Sequence, residues 1–229
     1  MSLNKETTIS AAIENIKTGH TIMVGGFGLI GSPLSIIEYL KEHDATELTV
    51  ISNNVGEAGE GLGYLLRQGK FKKAIGSYFT SNRDVAKYYN EGTLELELLP
   101  QGTLSEAIRA GGAGIGGFYT KTAVGTDLAI GKEIKEIDGE EYLLQKALKA
   151  DVAIIKAWKA DRLGNLVYYK TARNFNPNMA TAASYVIVEV DEIVEVGELS
   201  PEEIVTPHLY VDAIVKSEWA LTKEGVKKK

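Results

Sequence analysis

The sequence predicts an α/β fold: a mostly parallel open sheet with helices on both faces, extended by a β-hairpin. Two observations carry the sheet. Short apolar runs alternate with helix-period segments through the first half of the chain, which is the pattern of βαβ units. Glycines then gather where two of those units turn, at Gly25–Gly31 and Gly111–Gly117. The hairpin rests on a third, Asp138-Gly139 set between alternating residues in Ile134–Leu144, a two-residue turn signal.

Taken in order, Thr8–Lys17 has helical apolar spacing and stops at Gly19. Thr21–Val24 is a buried strand running into glycines. Ser32 and Pro33 read as the N-cap and first position of a helix over Leu34–Glu42. Strands follow at Leu48–Ser52, Lys73–Ser77 and Leu94–Leu98, with helices at Leu62–Gln68, Arg83–Tyr89 and Thr103–Ala110. Gly111–Thr126 reads as a glycine-rich loop, longer than packing alone requires. Asp151–Ala157 and Tyr185–Val190 are buried strands separated by a Gly164-Asn165 turn and Ala172–Ala183. With no linker or repeat, residues 1–222 are expected to form a single domain. Residues 223–229 read as a frayed basic tail, and Met1-Ser2-Leu3 as including a cloning scar.

Composition excludes several classes. At 44% hydrophobic and 24% charged, the 229 residues are neither disordered nor collagen-like. A net charge of -6 argues against nucleic acid as a partner. There is no cysteine, hence no disulfide and no thiol nucleophile. His20, His43 and His208 lack metal-ligand spacing, so no metal is expected. No apolar run has the length of a membrane span and no signal segment opens the chain. The expected location is cytoplasmic.

Gly26-Phe27-Gly28-Leu29-Ile30-Gly31 fits the dinucleotide fingerprint between a strand and a helix. Yet the second strand ends in Asn53-Asn54, where a ribose would need an acidic partner, and Pro33 stands in the first helical turn. What remains is a backbone that lets a ligand approach closely, with helix-start amides able to face negative charge. Two glycine loops in a chain this short favour a site, although each alone could serve packing. Asn53, at a strand end, can hydrogen-bond a carbonyl oxygen without adding charge. Gln101, in Pro100-Gln101-Gly102, has the same kind of place; both are also ordinary loop residues.

Together these segments resemble family I CoA-transferases, specifically the first (α) subunit of the succinyl-CoA:3-ketoacid type. Gly25-Gly26-Phe27 with Gly31 and Pro33 matches that family's N-terminal signature, although Thr18-Gly19 replaces its usual opening Asp/Asn-Gly. LTVISNN at Leu48–Asn54, Pro100–Gly117 with Phe118-Tyr119-Thr120, KAWKAD at Lys156–Asp161 and TARNFN at Thr171–Asn176 match as well. The likeness runs from about Thr8 to Lys216.

The resemblance implies a CoA-transferase/phosphosugar-isomerase-like fold and covalent catalysis through a glutamyl-CoA thioester. It puts the attacking glutamate in a Ser-Glu-Asn-Gly motif of a β subunit. That motif is missing here; Glu57 and Glu60 in VGEAGEG read as solvated loop acids. Asn53 matches an oxyanion-hole amide and Gln101 a position beside the carboxylate substrate. Tyr78 is expected to line the same pocket, though a core role suits it equally. Gly25, Gly26, Phe27 and Gly28 are expected to wall one side of the cleft, and Gly114, Gly116 and Gly117 the other. Lys156, Lys159 and Arg173 fall in matching segments and are expected in structural or interface ion pairs. CoA and acyl-CoA enter as substrates with no bound cofactor, and an α2β2 assembly is implied. Alternatives are the corresponding subunit of an acetate/butyrate–acetoacetate transferase, or a non-catalytic ligand-binding domain of the same architecture. The acidic N-terminal segment offers a regulator no basic helix-turn-helix.

Overall fold

The computed structural model describes residues 4–229, so the scar expected at Met1-Ser2-Leu3 lies outside the described residues. The chain opens with α1 (Ile9–Ile13), which Thr8 caps by accepting from the Ala11 amide. It is shorter than its apolar spacing predicts. The βαβ run follows: β1 (Thr21–Val24), α2 (Leu34–Leu40), β2 (Leu48–Ile51), α3 (Leu62–Arg67), β3 (Phe71–Gly76), α4 (Arg83–Asn90), β4 (Glu95–Leu98) and α5 (Gln101–Gly112). Next come β5 (Gly117–Thr120), β6 (Ile134–Ile137) and β7 (Glu140–Lys146), which form a small antiparallel sheet. The chain then returns through β8 (Ala150–Asp161), β9 (Leu166–Val167), α6 (Asn176–Thr181), β10 (Ala183–Val194) and β11 (Ala213–Lys216). A hairpin of β12 (Trp219–Thr222) and β13 (Gly225–Lys228) closes the described chain.

Seven strands of the main sheet run in the order β11-β10-β8-β1-β2-β3-β4. Every neighbouring pair along that path is parallel. β9 adds an antiparallel strand to the far end of β8. From β1 the chain steps outward to β4, then comes back to β1's other side as β8. The switch point therefore lies between β1 and β8, where open α/β sheets gather their ligands.

Both faces of the sheet are covered. Ile13, Ile36, Ile37, Leu65 and Val85 from α1 to α4 pack with Ile22 and Val50 on one face. Leu104, Ile108 and Met179 from α5 and α6 pack with Met23, Ile51 and Ile155 on the other. Burying a side chain of this size stabilises by about 1.5–3 kcal/mol. That is why β8 reads as a nearly unbroken apolar run: a central strand has no solvent face.

Three expectations are corrected. Gly111–Thr126 is not a structureless loop. Gly111 and Gly112 end α5, and Gly117–Thr120 pairs with Leu143–Lys146, a partner too distant in sequence for local pattern to reveal. Residues 223–229 are not a frayed tail either. Trp219 through Thr222 pair antiparallel with Gly225 through Lys228, and Lys229 reaches Asp191 at 2.7 Å. Finally, Ser32 does not cap α2. The helix begins at Leu34 without a local side-chain cap, and its first amides donate instead to Glu189 from β10.

Candidate active site

The carboxyl ends of β1 to β4 carry the residues that the sequence singles out. β1 runs into Gly25-Gly26, β2 into Asn53, β3 into Tyr78 and β4 into Gln101 at the start of α5. Parallel register alone sets them side by side.

Asn53 is only 1% exposed. Its carbonyl accepts from the Ser77 and Tyr78 amides, both at 3.0 Å, tying β2's end to β3's. Its side-chain amide donates to Ser77 Oγ at 2.9 Å and to Gln101 Oε1 at 3.3 Å. The strand-end amide is thus not presented bare to a ligand. Exposed Gln101 stands between Asn53 and solvent, on the longer of the two bonds.

Gln101 lines a cavity of 280 Å³ together with Phe27, Gly102, Ser105, Asn174 and Phe175. Phe27 is 50% exposed and, with Ile30, Thr171 and Asn174, borders a second, almost wholly apolar cavity. Phe27 and Ile30 exchange backbone hydrogen bonds, closing Phe27–Ile30 into a tight turn with Gly28 at its open tip. The first glycine loop and Gln101 therefore meet across one cavity. Its lining offers amides, a hydroxyl and aromatic rings, a set able to hold carbonyl and carboxylate oxygens, and it contains no carboxylate.

Other expected members stand apart. Tyr78 shares the strand ends, but its ring is 54% exposed and borders neither cavity, so it is not a core tyrosine. Gly114, Gly116 and Gly117 follow the C-terminus of α5, whose N-terminus holds Gln101. With 12 residues, that helix separates them by roughly 17 Å. Within this chain they do not wall the Gln101 cavity. Glu57 and Glu60 are half-buried and bridge each other across a turn.

Gly25 belongs to the brace behind the turn. A Cβ there would lie 1.7 Å from Asn176 Oδ1. That oxygen accepts from the Lys156 amide at 2.9 Å, while Asn176 Nδ2 donates to the Gly31 and Ala172 carbonyls at 2.9 and 2.8 Å. One fully buried side chain thus joins the glycine loop to β8 across the switch point. Gly26, at φ 126°, takes a backbone conformation that L-residues rarely adopt. Asn174 holds the same loop by donating to the Ile30 carbonyl at 3.0 Å. Sequence reasoning did not single out Asn174, Phe175, Asn176 or Ser105 as site residues. The one available signal was the asparagine-dense stretch Asn174–Asn178, since these residues act through tertiary contacts and follow no period.

Lys156 pairs with Glu189 at 3.3 Å and Asp191 at 2.8 Å, and Lys159 with Glu192 at 2.8 Å. These are ties between β8 and β10, in keeping with the structural role expected for both lysines. Arg173 is exposed and makes no ion pair among the described residues. Tyr168 lies beneath this end of the sheet, where burial drives its phenol far above the ordinary range and keeps it neutral.

A parallel α/β sheet whose switch-point crevice pairs a glycine turn with strand-end amides defines a protein that works on a small acyl or carbonyl ligand. A model of the Coenzyme A transferase family matches residues 6–217. The chain is 52% identical over 200 residues to the α subunit of the succinyl-CoA:3-ketoacid coenzyme A transferase of Xanthomonas campestris, covering 87% of this chain and 83% of that one. It is 49% identical over 210 residues to the α subunit of the 3-oxoadipate CoA-transferase of Pseudomonas putida, covering 91% of each. Its fold matches an acyl-CoA transferase from Escherichia coli O157:H7 with TM-score 0.83 at 22% identity, over 93% of this chain and 47% of that one. The chain belongs to the Coenzyme A transferase family.

Proposed function

We propose that this chain is the α subunit of a 3-oxoacid CoA-transferase, moving CoA between succinyl-CoA and a 3-oxo acid such as acetoacetate. The observation that carries the reading is the Gln101 cavity, rich in groups for oxygen atoms and lined by no carboxylate nucleophile. The attacking glutamate belongs to a partner β subunit with a Ser-Glu-Asn-Gly motif, in an α2β2 assembly working in the cytoplasm. Attack on the acyl-CoA carbonyl breaks the thioester and releases CoA thiolate, leaving a mixed anhydride on the glutamate. The thiolate then attacks the glutamyl carbonyl and expels the first acid. The second acid reverses both steps. No net oxidation occurs, and the scheme is ping-pong.

In each tetrahedral intermediate a carbonyl oxygen gains negative charge. The substrate oxygen takes the place of Gln101 Oε1, and Asn53 Nδ2 donates to it, anchored from behind by Ser77. A prepositioned donor costs little reorganisation as charge develops. The purified chain is expected to show no transferase activity, with activity appearing on mixing with a β subunit. Robust turnover by the isolated chain, free of its partner, would overturn this division. A panel of succinyl-CoA with acetoacetate, 3-oxoadipate, acetate and butyrate ranks the acids. Preference for acetate or butyrate would replace succinate in this reading.

A further inference from the structure

Glu189 is a carboxylate at 0% exposure in the middle of β10, in register with Lys156 of β8 and Val215 of β11. Removing a carboxylate from water is costly, and an apolar residue in such a place often serves stability as well or better. The side chain nonetheless collects five hydrogen bonds from three segments. Oε2 accepts from the Ser35 and Ile36 amides at 2.8 and 3.2 Å. Oε1 accepts from Ser35 Oγ at 2.9 Å, Ser217 Oγ at 2.7 Å and Lys156 Nζ at 3.3 Å. Ser35 Oγ in turn accepts from the Glu218 and Trp219 amides at 2.9 and 3.0 Å, where the C-terminal hairpin begins.

These partners share one consequence. Ser35 and Ile36 form the first turn of α2, immediately after the glycine loop that presents Phe27 to the Gln101 cavity. Leu29, Ile30 and Gly31 of that loop and Trp219 to Leu221 of the hairpin face each other across a cavity of 180 Å³, with Glu189 and Lys156 also in its lining. We infer that Glu189 is a positioning residue for acyl transfer: it fixes the start of α2, and thereby the Gly26–Gly31 turn, and uses the C-terminal hairpin as a clamp. The catalytic part of this inference rests on the function proposed above; the loop-fixing part does not.

The test is Glu189→Gln in the full chain, alone and assembled with its β subunit. Glutamine keeps an acceptor for the Ser35 and Ile36 amides and removes the charge that faces Lys156. Hydrogen–deuterium exchange across residues 26–32 is expected to rise at least ten-fold while exchange in β2 stays unchanged. In the assembly kcat is expected to fall ten-fold or more, with KM for acyl-CoA held within about two-fold. Glu189→Asp is expected to recover part of that loss. Should Glu189→Gln fail to fold, Ser217→Ala removes a single bond and is expected to give the same pattern at smaller size. Unchanged exchange over 26–32 in whichever variant folds overturns the inference, whatever the activity. Altered exchange with unchanged kcat overturns the positioning role alone. A wild-type assembly without transferase activity counts against the proposed function and leaves the exchange result to decide loop fixing.

Discussion

The two glycine clusters are built from the same residue type and do different work. Gly25–Gly31 leaves a parallel strand at the switch point and is gripped from behind by Asn174 and Asn176, so its tip is held toward a cavity. Gly111–Gly117 leaves the far end of α5 and enters an antiparallel strand. There Gly111 and Gly112 let the Leu148 carbonyl and the Thr181 side chain pack closely, while Gly114 and Gly116 face open space. Glycine density marks close approach of backbone. Whether a ligand or the protein itself approaches depends on where the preceding element ends.

The sharpest way to break this comparison is Gly25→Ala. The new methyl would collide with Asn176 Oδ1, which the Lys156 amide holds in place. A loss of about 3 kcal/mol or more in urea unfolding is expected, at the upper end of overpacking costs. A loss under about 1 kcal/mol would show that the brace yields. Next comes Asn53→Ala. Turnover in the assembled enzyme is expected to drop about a hundred-fold or more, with assembly intact by gel filtration. An unchanged rate removes Asn53 from the oxyanion hole. Gly116→Ala should do almost nothing, shifting stability by less than about 0.5 kcal/mol and activity by less than two-fold. A large activity loss there would put the second cluster back in the site.

The smallest effect concerns acid. Burial tends to raise the Asp191 carboxyl, but hydrogen bonds from Lys156 and Lys229 outweigh it and leave the pKa below the ordinary value. A carboxylate lowered on folding contributes stability that is fully present above the unfolded value of about 3.9 and lost as pH falls through the folded one. Asp191→Asn should therefore melt slightly below wild type at pH 7, and the difference should vanish in strong acid. A gap that persists there would assign the effect to packing.

The parallel half was legible in the sequence because each strand and helix there buries its own apolar pattern against the sheet, and the strand ends follow from alternation alone. Asn53 and Gln101 were legible as strand-end amides, with their roles supplied by family resemblance. Their mutual hydrogen bond was not, because nothing in either segment names the other. Asn176 escaped notice for the same reason: its partners Gly31 and Lys156 are remote in sequence. The C-terminal hairpin escaped because its anchors, Ser35 and Asp191, belong to other elements, and a lysine-rich end without them reads as solvated.

The reach of Asn176 has a consequence for synthesis on the ribosome. The strand, turn and helix around Gly25 emerge early, yet the side chain that completes the turn arrives only with α6, after β8 has inserted beside β1. A nascent chain halted before α6 would contain every glycine of the signature and still lack a shaped pocket. Competence to handle an acyl group is therefore acquired late, when the second half of the polypeptide locks into the first.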